Sequence, residues 1–182
     1  MSSDDASVTG SRPSNSSPSW FLLTVKSRSE KKVASALEAK GFEVFLPLYT
    51  TMRQWSDRVK AQQLPLFACF LFCRYDHPKD HLRVVSTPGV LVGVGADPLP
   101  IPVPEAEVAA LRKVTASGFA VEPAPYAGGG TRVRMVSDSL SGLEGLLTRD
   151  ESTCRVVVNM KTIGRAVAVE IPREFVTPFV EA

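Results

Sequence analysis

Metal ligands and disulfide partners are scarce in this chain, which has three cysteines and two histidines among 182 residues. An odd cysteine count without a secretory signal predicts a reducing, cytoplasmic setting and no disulfide framework. Cys69, Cys73, His77 and His81 are spaced by four, as in some zinc sites. On a continuous strand, however, the two cysteines would lie about 13 Å apart at roughly 3.3 Å per residue, whereas zinc needs each sulfur at about 2.3 Å. We therefore expect no metal.

Catalytic and nucleotide-binding motifs are also missing. Gly93-Val94-Gly95 lacks the third glycine of a dinucleotide-binding loop, with Pro98 in its place, and there is no P-loop or nucleophile elbow. No carboxylate pair stands in an apolar setting. We expect a protein that is not an enzyme and that has no cofactor.

Long hydrophobic runs are absent as well. The most apolar stretch, Leu64 to Tyr75 (LPLFACFLFCRY), has about a dozen residues, whereas a membrane-spanning helix needs roughly 20. Its length and aromatic content predict a buried strand and no membrane contact. Alternation along a strand would place Leu66, Ala68, Phe70 and Phe72 on one face and Phe67, Cys69, Leu71 and Cys73 on the other. Both faces are apolar, so we expect the core to cover one face, and a partner protein is a candidate to cover the other.

The remaining patterns divide the chain into four segments. Residues 1–18 are polar and rich in serine, which predicts a disordered tail. Residues 19–119 alternate between strand-like and helix-like patterns, and they predict an α+β domain in which helices pack on one face of an antiparallel sheet. Residues 120–129 are rich in proline and glycine and predict a linker. Residues 130–180 contain five short strand-like runs, which predict a small all-β barrel.

Two helices of the first domain carry specific expectations. Ser27 and Glu30 fit a capping box at the start of a helix that ends just before Gly41. A second, shorter helix follows Asp76 and is expected to turn Leu82 and Val85 inward.

Positive charge is concentrated in residues 19–94, although the net charge of the chain is only +2. A basic half indicates nucleic acid nearby. Lys26, Arg28, Lys31 and Lys32 surround the first turn of the first predicted helix, where backbone N–H groups already favour anions. This cluster is either a solvated helix end or a surface that binds phosphates.

A second basic segment, residues 49–60, has a hairpin-like pattern and contains Arg53, Arg58, Lys60 and Trp55. Basic residues around an aromatic side chain can bind nucleic acid by ion pairing and stacking. Alternatively, the tryptophan folds back over the hairpin. The sequence leaves both interpretations open.

An ordered set of motifs runs through both predicted domains. It comprises Trp20-Phe21-Leu22-Leu23, the helix with Glu30, Leu46-Pro47, Trp55-Ser56-Asp57-Arg58, Pro65 to Phe72, Thr87-Pro88-Gly89-Val90 and Pro98-Leu99-Pro100-Ile101. Gly130-Thr131-Arg132-Val133, followed by Leu140 to Gly145, is similar to a KOW motif. Over about residues 19–180 the chain therefore resembles the NusG family of bacterial transcription elongation factors, and among them the specialised RfaH-like and UpxY-type antiterminators.

The resemblance implies a NusG-type N-terminal domain followed by an SH3-like KOW barrel, in a monomeric transcription elongation and antitermination factor. It further implies that a hydrophobic depression of the N-terminal domain binds the clamp helices of RNA polymerase. The residues that match the family's positions there are Phe70, Phe72, Leu22, Leu91 and Val94. His81 lies near the position that touches the gate loop of the polymerase in RfaH-like members.

The other implied partners are nucleic acid and a second protein. Lys26, Arg28 and Lys32 match the face that approaches non-template DNA in RfaH-like members. The KOW barrel implies a partner such as Rho or a small-subunit ribosomal protein. The main alternative is an RNA- or ribosome-binding KOW module that does not act on polymerase. A proline-peptide adaptor has less support, because Phe175 and Phe179 are the only aromatic residues beyond the linker.

The sequence departs from the family pattern at two turns. Ala68-Cys69 stands where the family usually has Pro-Gly, and we expect this change to straighten the bend before Phe70. Asp138-Ser139 replaces the usual Gly-Pro of the KOW turn, which bears on the choice of barrel partner. The barrel segment is rich in valine, and β-branched residues disfavour helix, so we expect a stable barrel and no refolding into helices.

Overall fold

The protein is described by a computed structural model covering residues 17–55, 58–91 and 101–179, without the side chain of Trp55. The predicted tail, residues 1–18, lies outside this range except for its last two residues. The N-terminal part contains β1 (Ser19–Val25), α1 (Glu30–Ala39), β2 (Glu43–Phe45), β3 (Leu48–Trp55), β4 (Arg58–Pro65), β5 (Phe70–Tyr75), α2 (His77–Val85), β6 (Val90–Leu91), β7 (Ile101–Val103) and α3 (Glu105–Ala116). No helix within the described ranges is long and apolar enough to cross a membrane.

An antiparallel sheet forms the centre of the N-terminal part, with strand order β2-β5-β1-β6, and β7 also pairs with β1. Helices α1 and α2 cover one face of this sheet, where Val33, Leu37 and Val84 pack with Leu23 and Leu71. The apolar stripe of α3 covers the opposite face. The α+β class is confirmed, but the expectation of helices on one face only is wrong. Because both faces of β1 and β5 are apolar, helices cover both of them, and the third helix packs on the second face through Val108, Leu111 and Val114.

Helix α1 begins at Glu30 rather than within a capping box. Ser29 occupies the N-cap position, and its side chain makes no capping hydrogen bond. The carboxylate of Glu30, which is buried, instead accepts a hydrogen bond from the backbone N–H of Cys69 at 3.0 Å. The capping-box prediction is therefore wrong, because a tertiary partner takes the carboxylate. Gly41 follows the helix with φ +88°, as a C′ glycine does.

The apolar stretch from Leu64 to Tyr75 is not one strand. Strand β4 ends at Pro65, residues 66–69 form a turn, and β5 begins at Phe70. Cys69 has φ +68°, a left-handed conformation that is uncommon for residues other than glycine. The expected straightening is thus wrong: the bend persists with cysteine in the strained position.

The turn at residues 66–69 also changes which residues share a face. Phe67 lies in the same apolar cluster as Phe72, whereas Leu71 and Cys73 lie in the other cluster. The strand-based separation of Cys69 and Cys73 therefore does not hold. Among the described residues, no group of three or more His, Cys, Asp or Glu side chains could hold a metal ion.

The hairpin of residues 49–60 was predicted correctly, whereas the orientation of helix α2 was not. Strands β3 and β4 form a separate two-stranded hairpin, which confirms the hairpin pattern of residues 49–60. In α2, Leu82 is 77% exposed, whereas Val84 is buried. The expected inward orientation of Leu82 is wrong, because Leu82 lies two residues before the buried Val84 and therefore about 200° away from it around the helix. Val85 is half-buried.

The C-terminal part is a six-stranded antiparallel sheet with strand order β13-β9-β10-β11-β12-β8, called the C-terminal sheet below. Its strands are β8 (Ala120–Ala124), β9 (Thr131–Met135), β10 (Glu144–Arg149), β11 (Thr153–Met160), β12 (Arg165–Pro172) and β13 (Val176–Pro178), and a 3-10 helix covers Arg173–Phe175. Four of these strands confirm the predicted strand-like runs. Strand β8 lies in the segment predicted as a linker, yet it pairs with β12.

The predicted linker, residues 120–129, is attached to the C-terminal sheet at a second point. The side-chain amide of Asn159 accepts a hydrogen bond from the backbone N–H of Ala127 at 3.0 Å and donates one to its carbonyl at 2.8 Å. The proline and glycine content of the segment gave no sign of this pairing.

Candidate functional site

Four of the residues predicted to bind polymerase lie together on one face of the N-terminal sheet. In the register of β1 and β5, Leu22 is opposite Phe72 and Thr24 is opposite Phe70, so their side chains share a face. Leu91 is opposite Thr24 on the other side of β1 and belongs to the same face. We call Leu22, Phe70, Phe72 and Leu91 the aromatic face. Val94 lies outside the described residues.

The aromatic face is graded from buried to exposed. Leu22 and Phe72 are 4% and 2% exposed, Phe70 is half-buried, and Leu91 is 44% exposed. Leu22 and Phe72 pack in one cluster with Val108 and Leu111 of α3. Leu22 and Phe72 are therefore covered in this structure and do not line the open depression that the resemblance implied. Phe70 and Leu91 form the accessible margin of the aromatic face.

Part of the cover comes from the C-terminal sheet. The guanidinium carbon of Arg165, at the start of β12, lies 5.7 Å from the centre of the Phe70 ring, within cation–π range. The apolar cluster of the aromatic face continues without a break into Val133, Met135 and Val156 of the C-terminal sheet. The two halves of the chain therefore contact each other beside Phe70.

Polar contacts join α3 to the loops of the C-terminal sheet. The carboxylate of Glu107 accepts hydrogen bonds from the backbone N–H of Thr162 at 3.3 Å and from its hydroxyl at 3.1 Å. Lys113 donates from Nζ to the carbonyl of Ser141 at 3.2 Å. These hydrogen bonds are partly or fully exposed, and each contributes a net stabilisation of about 0.5–1.5 kcal/mol. The contact between α3 and the C-terminal sheet is therefore weak enough to break without unfolding either part.

His81 does not join the aromatic face. It lies on α2, on the opposite side of the sheet, and its ring is 4.6 Å from that of His77. The His77 ring in turn packs 5.4 Å from Phe21. Burial, and secondly the nearby charge of His77, lower the pKa of His81. Both effects favour the neutral form of the His81 imidazole.

The four predicted nucleic-acid-binding residues remain together and exposed. Lys26, Arg28, Lys31 and Lys32 surround the start of α1, and none of them forms an ion pair with a described acidic residue. Lys31 donates from Nζ to the backbone carbonyl of Gln63, which places the cluster beside strand β4 of the hairpin. The opposite end of α1 differs, since Lys40 there is held by Thr87 and by the carbonyl of Arg83.

Sequence reasoning missed the residues that close the aromatic face. Arg112 of α3 lies 5.1 Å from the ring centre of Trp20 and 5.3 Å from that of Phe45, and it pairs with Glu43 at 2.8 Å. Arg165 covers Phe70 from the other half of the chain. No local pattern could reveal these contacts, because the partners are far apart in sequence.

Comparison with known proteins identifies the family. Residues 18–112 match the family model described as transcription termination factor nusG, and this range is more than half of the chain. The protein therefore belongs to the NusG family of transcription factors. None of the curated protein sequences compared with the chain matches it.

Comparison with solved structures supports the fold through one of the two matches described here. A structure described as "Domain interaction in Thermotoga maritima NusG" superposes with a TM-score of 0.56 at 19% identity, covering 90% of this chain and 98% of that one. The MjSpt4:Spt5 complex in conformation B gives a TM-score of 0.28 at 13% identity, covering 89% and 97%. Only the first of these likenesses has a TM-score above 0.5, and at 19% identity it concerns the fold alone.

Proposed function

We propose that this protein is a specialised NusG paralogue that acts as a transcription elongation and antitermination factor in the cytoplasm and has no enzymatic activity. Its N-terminal part binds the clamp helices of RNA polymerase through the aromatic face. The observation that carries this proposal is the half-buried Phe70 and the exposed Leu91, which lie on either side of Thr24 on the face of the sheet opposite α1 and α2. An aromatic anchor of this kind is typical of the centre of a protein interface.

Binding through the aromatic face requires the C-terminal sheet to move away from Phe70. The contacts that hold it there include exposed polar pairs such as Lys113 with Ser141. A partner that buries Phe70 and Leu91 replaces Arg165 and gains apolar area at about 25 cal/mol per Å². His81 would contact the gate loop from the far side of the sheet.

The exposed cluster of Lys26, Arg28, Lys31 and Lys32 is proposed to contact non-template DNA. Four cations without acidic partners in the described ranges stand beside the backbone N–H groups at the start of α1. Both the charges and the helix N-terminus favour a phosphate.

The C-terminal sheet is proposed to bind a second protein, such as Rho or a small-subunit ribosomal protein. A protein partner is favoured over RNA, because many cations of the C-terminal sheet already pair with acidic side chains. Arg134 pairs with Glu144 at 3.1 Å, and Arg149 pairs with Glu170 at 3.0 Å. Neutralised cations add little to phosphate binding.

Phe70→Ala tests the proposed clamp contact. We expect the variant to lose retention by core RNA polymerase in a pull-down, while its far-ultraviolet circular dichroism stays native, because Phe70 is not fully buried. Leu82→Ala is the matched control, since it removes an exposed apolar side chain from the other side of the sheet. Retention of Phe70→Ala at the level of the control would contradict the site.

Lys26→Glu with Lys32→Glu tests the proposed DNA contact. We expect weaker association with an assembled elongation complex, with a difference from the parent protein that shrinks as salt is raised. Lys79→Glu with Lys161→Glu makes the same change in net charge at exposed positions elsewhere. If both pairs weaken association equally, the cluster has no specific role and is a solvated helix end.

A further inference from the structure

The hairpin of β3 and β4 presents two chemically different faces. Residues directly opposite each other in an antiparallel pair share a face. Arg53 is opposite Lys60 and Trp55 is opposite Arg58, and Thr51 is opposite Gln62 on the same side. We call Thr51, Arg53, Arg58, Lys60 and Gln62 the cationic face. The other face carries Met52 opposite Ala61 and Gln54 opposite Val59.

The pairing of Arg53 with Lys60 is unfavourable for the hairpin itself. Like charges directly opposite each other destabilise a strand pair, whereas opposite charges contribute roughly 0.2–1 kcal/mol. Elsewhere the same chain uses the favourable arrangement: Glu144 is opposite Arg134, and Glu170 is opposite Arg155. The C-terminal sheet also places two like charges opposite each other, Arg149 and Arg155, but there the carboxylate of Glu170 pairs with both guanidinium groups, at 3.0 and 3.6 Å. The pair in the hairpin differs because no acidic side chain in the described residues lies between its two cations.

No acidic residue relieves this repulsion within the described part of the hairpin. Residues 48–55 and 58–65 contain neither aspartate nor glutamate, and none of the ion pairs in the described structure involves Arg53, Arg58 or Lys60. In the sequence, Asp57 is the only acid between residues 44 and 75. All three cations are exposed. An external anion would remove the repulsion that the fold leaves in place.

The spacing and composition of the cationic face favour an anion with regularly spaced charges. Arg58 and Lys60 are two residues apart along β4, which is roughly 7 Å at about 3.3 Å per residue, and Arg53 lies opposite Lys60. This distance is about twice the 3.4 Å that separates successive charges along a nucleic-acid strand. Thr51 and Gln62 add neutral hydrogen-bond donors, which nucleic-acid-binding proteins also direct at phosphates.

An acidic protein partner is less consistent with the hairpin. Protein interfaces are depleted in lysine and built around apolar anchors. The described apolar side chains of the outer hairpin, Met52 at 65% and Val59 at 56% exposure, lie on the opposite face.

We propose that the cationic face of the β3–β4 hairpin is a second nucleic-acid-binding surface, which holds a phosphate backbone through Arg53, Arg58 and Lys60. It extends the proposed DNA contact at the start of α1, to which the hairpin is joined by the bond from Lys31 to the Gln63 carbonyl. This inference rests on the proposed function only in taking nucleic acid as the ligand. The polymerase contact is not part of it.

The experiment measures binding of the full chain to a fluorescently labelled single-stranded DNA, and to its duplex, by anisotropy over a range of salt concentrations without polymerase. Arg53→Gln with Lys60→Gln removes two charges from the cationic face. Loss of two phosphate contacts should make the slope of log K against log salt shallower by about 1.4–1.8 and weaken binding at 0.1 M salt by roughly tenfold or more. The comparison of the two DNA arms identifies the preferred form.

Gln54→Glu with Ala61→Glu is the matched control, because it changes the net charge by the same amount on the opposite, exposed face. We expect its salt slope to equal that of the parent protein. Equal losses in the two variants, or unchanged binding of Arg53→Gln with Lys60→Gln, would overturn the proposal. In the latter case, binding to an acidic protein becomes the explanation for the cationic face.

Thermal unfolding of the same variants separates binding from folding. Because Arg53→Gln with Lys60→Gln removes a like-charge pair, its midpoint should be equal to or above that of the parent protein. A lower midpoint would mean that the cations stabilise the hairpin and would contradict the argument. Retention on polymerase is expected to be unchanged in both variants. The hairpin proposal can therefore fail while the proposed clamp contact stands, and the clamp contact can fail while the hairpin still binds DNA.

Discussion

The two faces of the N-terminal sheet are closed in different ways. On one face, Leu23, Leu71 and Cys73 pack beneath α1 and α2, which follow their strands directly in the chain. On the aromatic face, Leu22 and Phe72 are covered by α3 and by residues of the C-terminal sheet. The first face is thus a core that is closed by helices adjacent in sequence to its strands. The second depends on contacts between the two halves of the chain, and its margin at Phe70 remains accessible.

The comparison is sharpest at two adjacent residues of β5, Leu71 and Phe70. Leu71 is fully buried under the helices, so Leu71→Ala should lower the free energy of unfolding by about 2–5 kcal/mol. Phe70→Ala should cost less than half as much, although it removes a larger side chain. Urea denaturation of the two variants measures both values. Similar losses would show that the aromatic face is core to the same degree.

The turn before β5 offers a stabilising change. Cys69 adopts φ +68° and its backbone N–H is fixed by the buried Glu30, so the turn is held despite its strain. A left-handed conformation costs an L-residue roughly 1–2 kcal/mol, and glycine would relieve this strain. Part of the gain in stability is lost, because glycine has greater conformational freedom in the unfolded chain. Cys69→Gly should therefore stabilise the protein by about 0.5–1 kcal/mol in urea denaturation.

Cys69→Val serves as the opposite control for this turn. A β-branched residue is strongly disfavoured at positive φ, so the variant should be less stable than the parent protein. If valine is tolerated as well as glycine, the turn does not hold residue 69 in the left-handed region, and the two faces of β5 are not separated in this way.

The smallest expected effect on stability concerns the contact between α3 and the C-terminal sheet. Glu107→Ala removes the acceptor of both Thr162 hydrogen bonds. Because these bonds are only partly buried, we expect the free energy of unfolding to fall by about 1 kcal/mol or less. Amide hydrogen exchange in β5 and α3 should rise selectively, while exchange in α1 stays unchanged. An equal rise in α1 would contradict the separation of the two faces.

Most of the fold could be predicted from local patterns. The alternation of strands and helices, the hairpin of residues 49–60 and four strands of the C-terminal sheet follow from periodicity and turn residues, which act over a few positions. Two of the failures share a cause. The Glu30 carboxylate bonds to Cys69, and the segment containing Ala124 pairs with β12. In both cases a tertiary partner overrode the pattern.

The residues of the candidate site could be predicted from the sequence, but their exposure to solvent could not. The motifs pointed to Leu22, Phe70, Phe72 and Leu91, and the register places these four on one face. Nothing in the spacing indicated that Leu22 and Phe72 are covered, or that His81 lies across the sheet. Likewise, the basic residues of the hairpin were visible, but their segregation onto one face needed the pairing of β3 with β4.

The sequence by itself determined the family, the order of the elements and the positions of the two basic groups. These properties depend on motifs and on periodicity within short windows, which are written directly in the chain. The tertiary structure decided which side of each strand is covered and by what. Coverage is a long-range property: Arg165 meets Phe70, and Glu107 meets Thr162 fifty-five residues away, only after the two halves of the chain pack together.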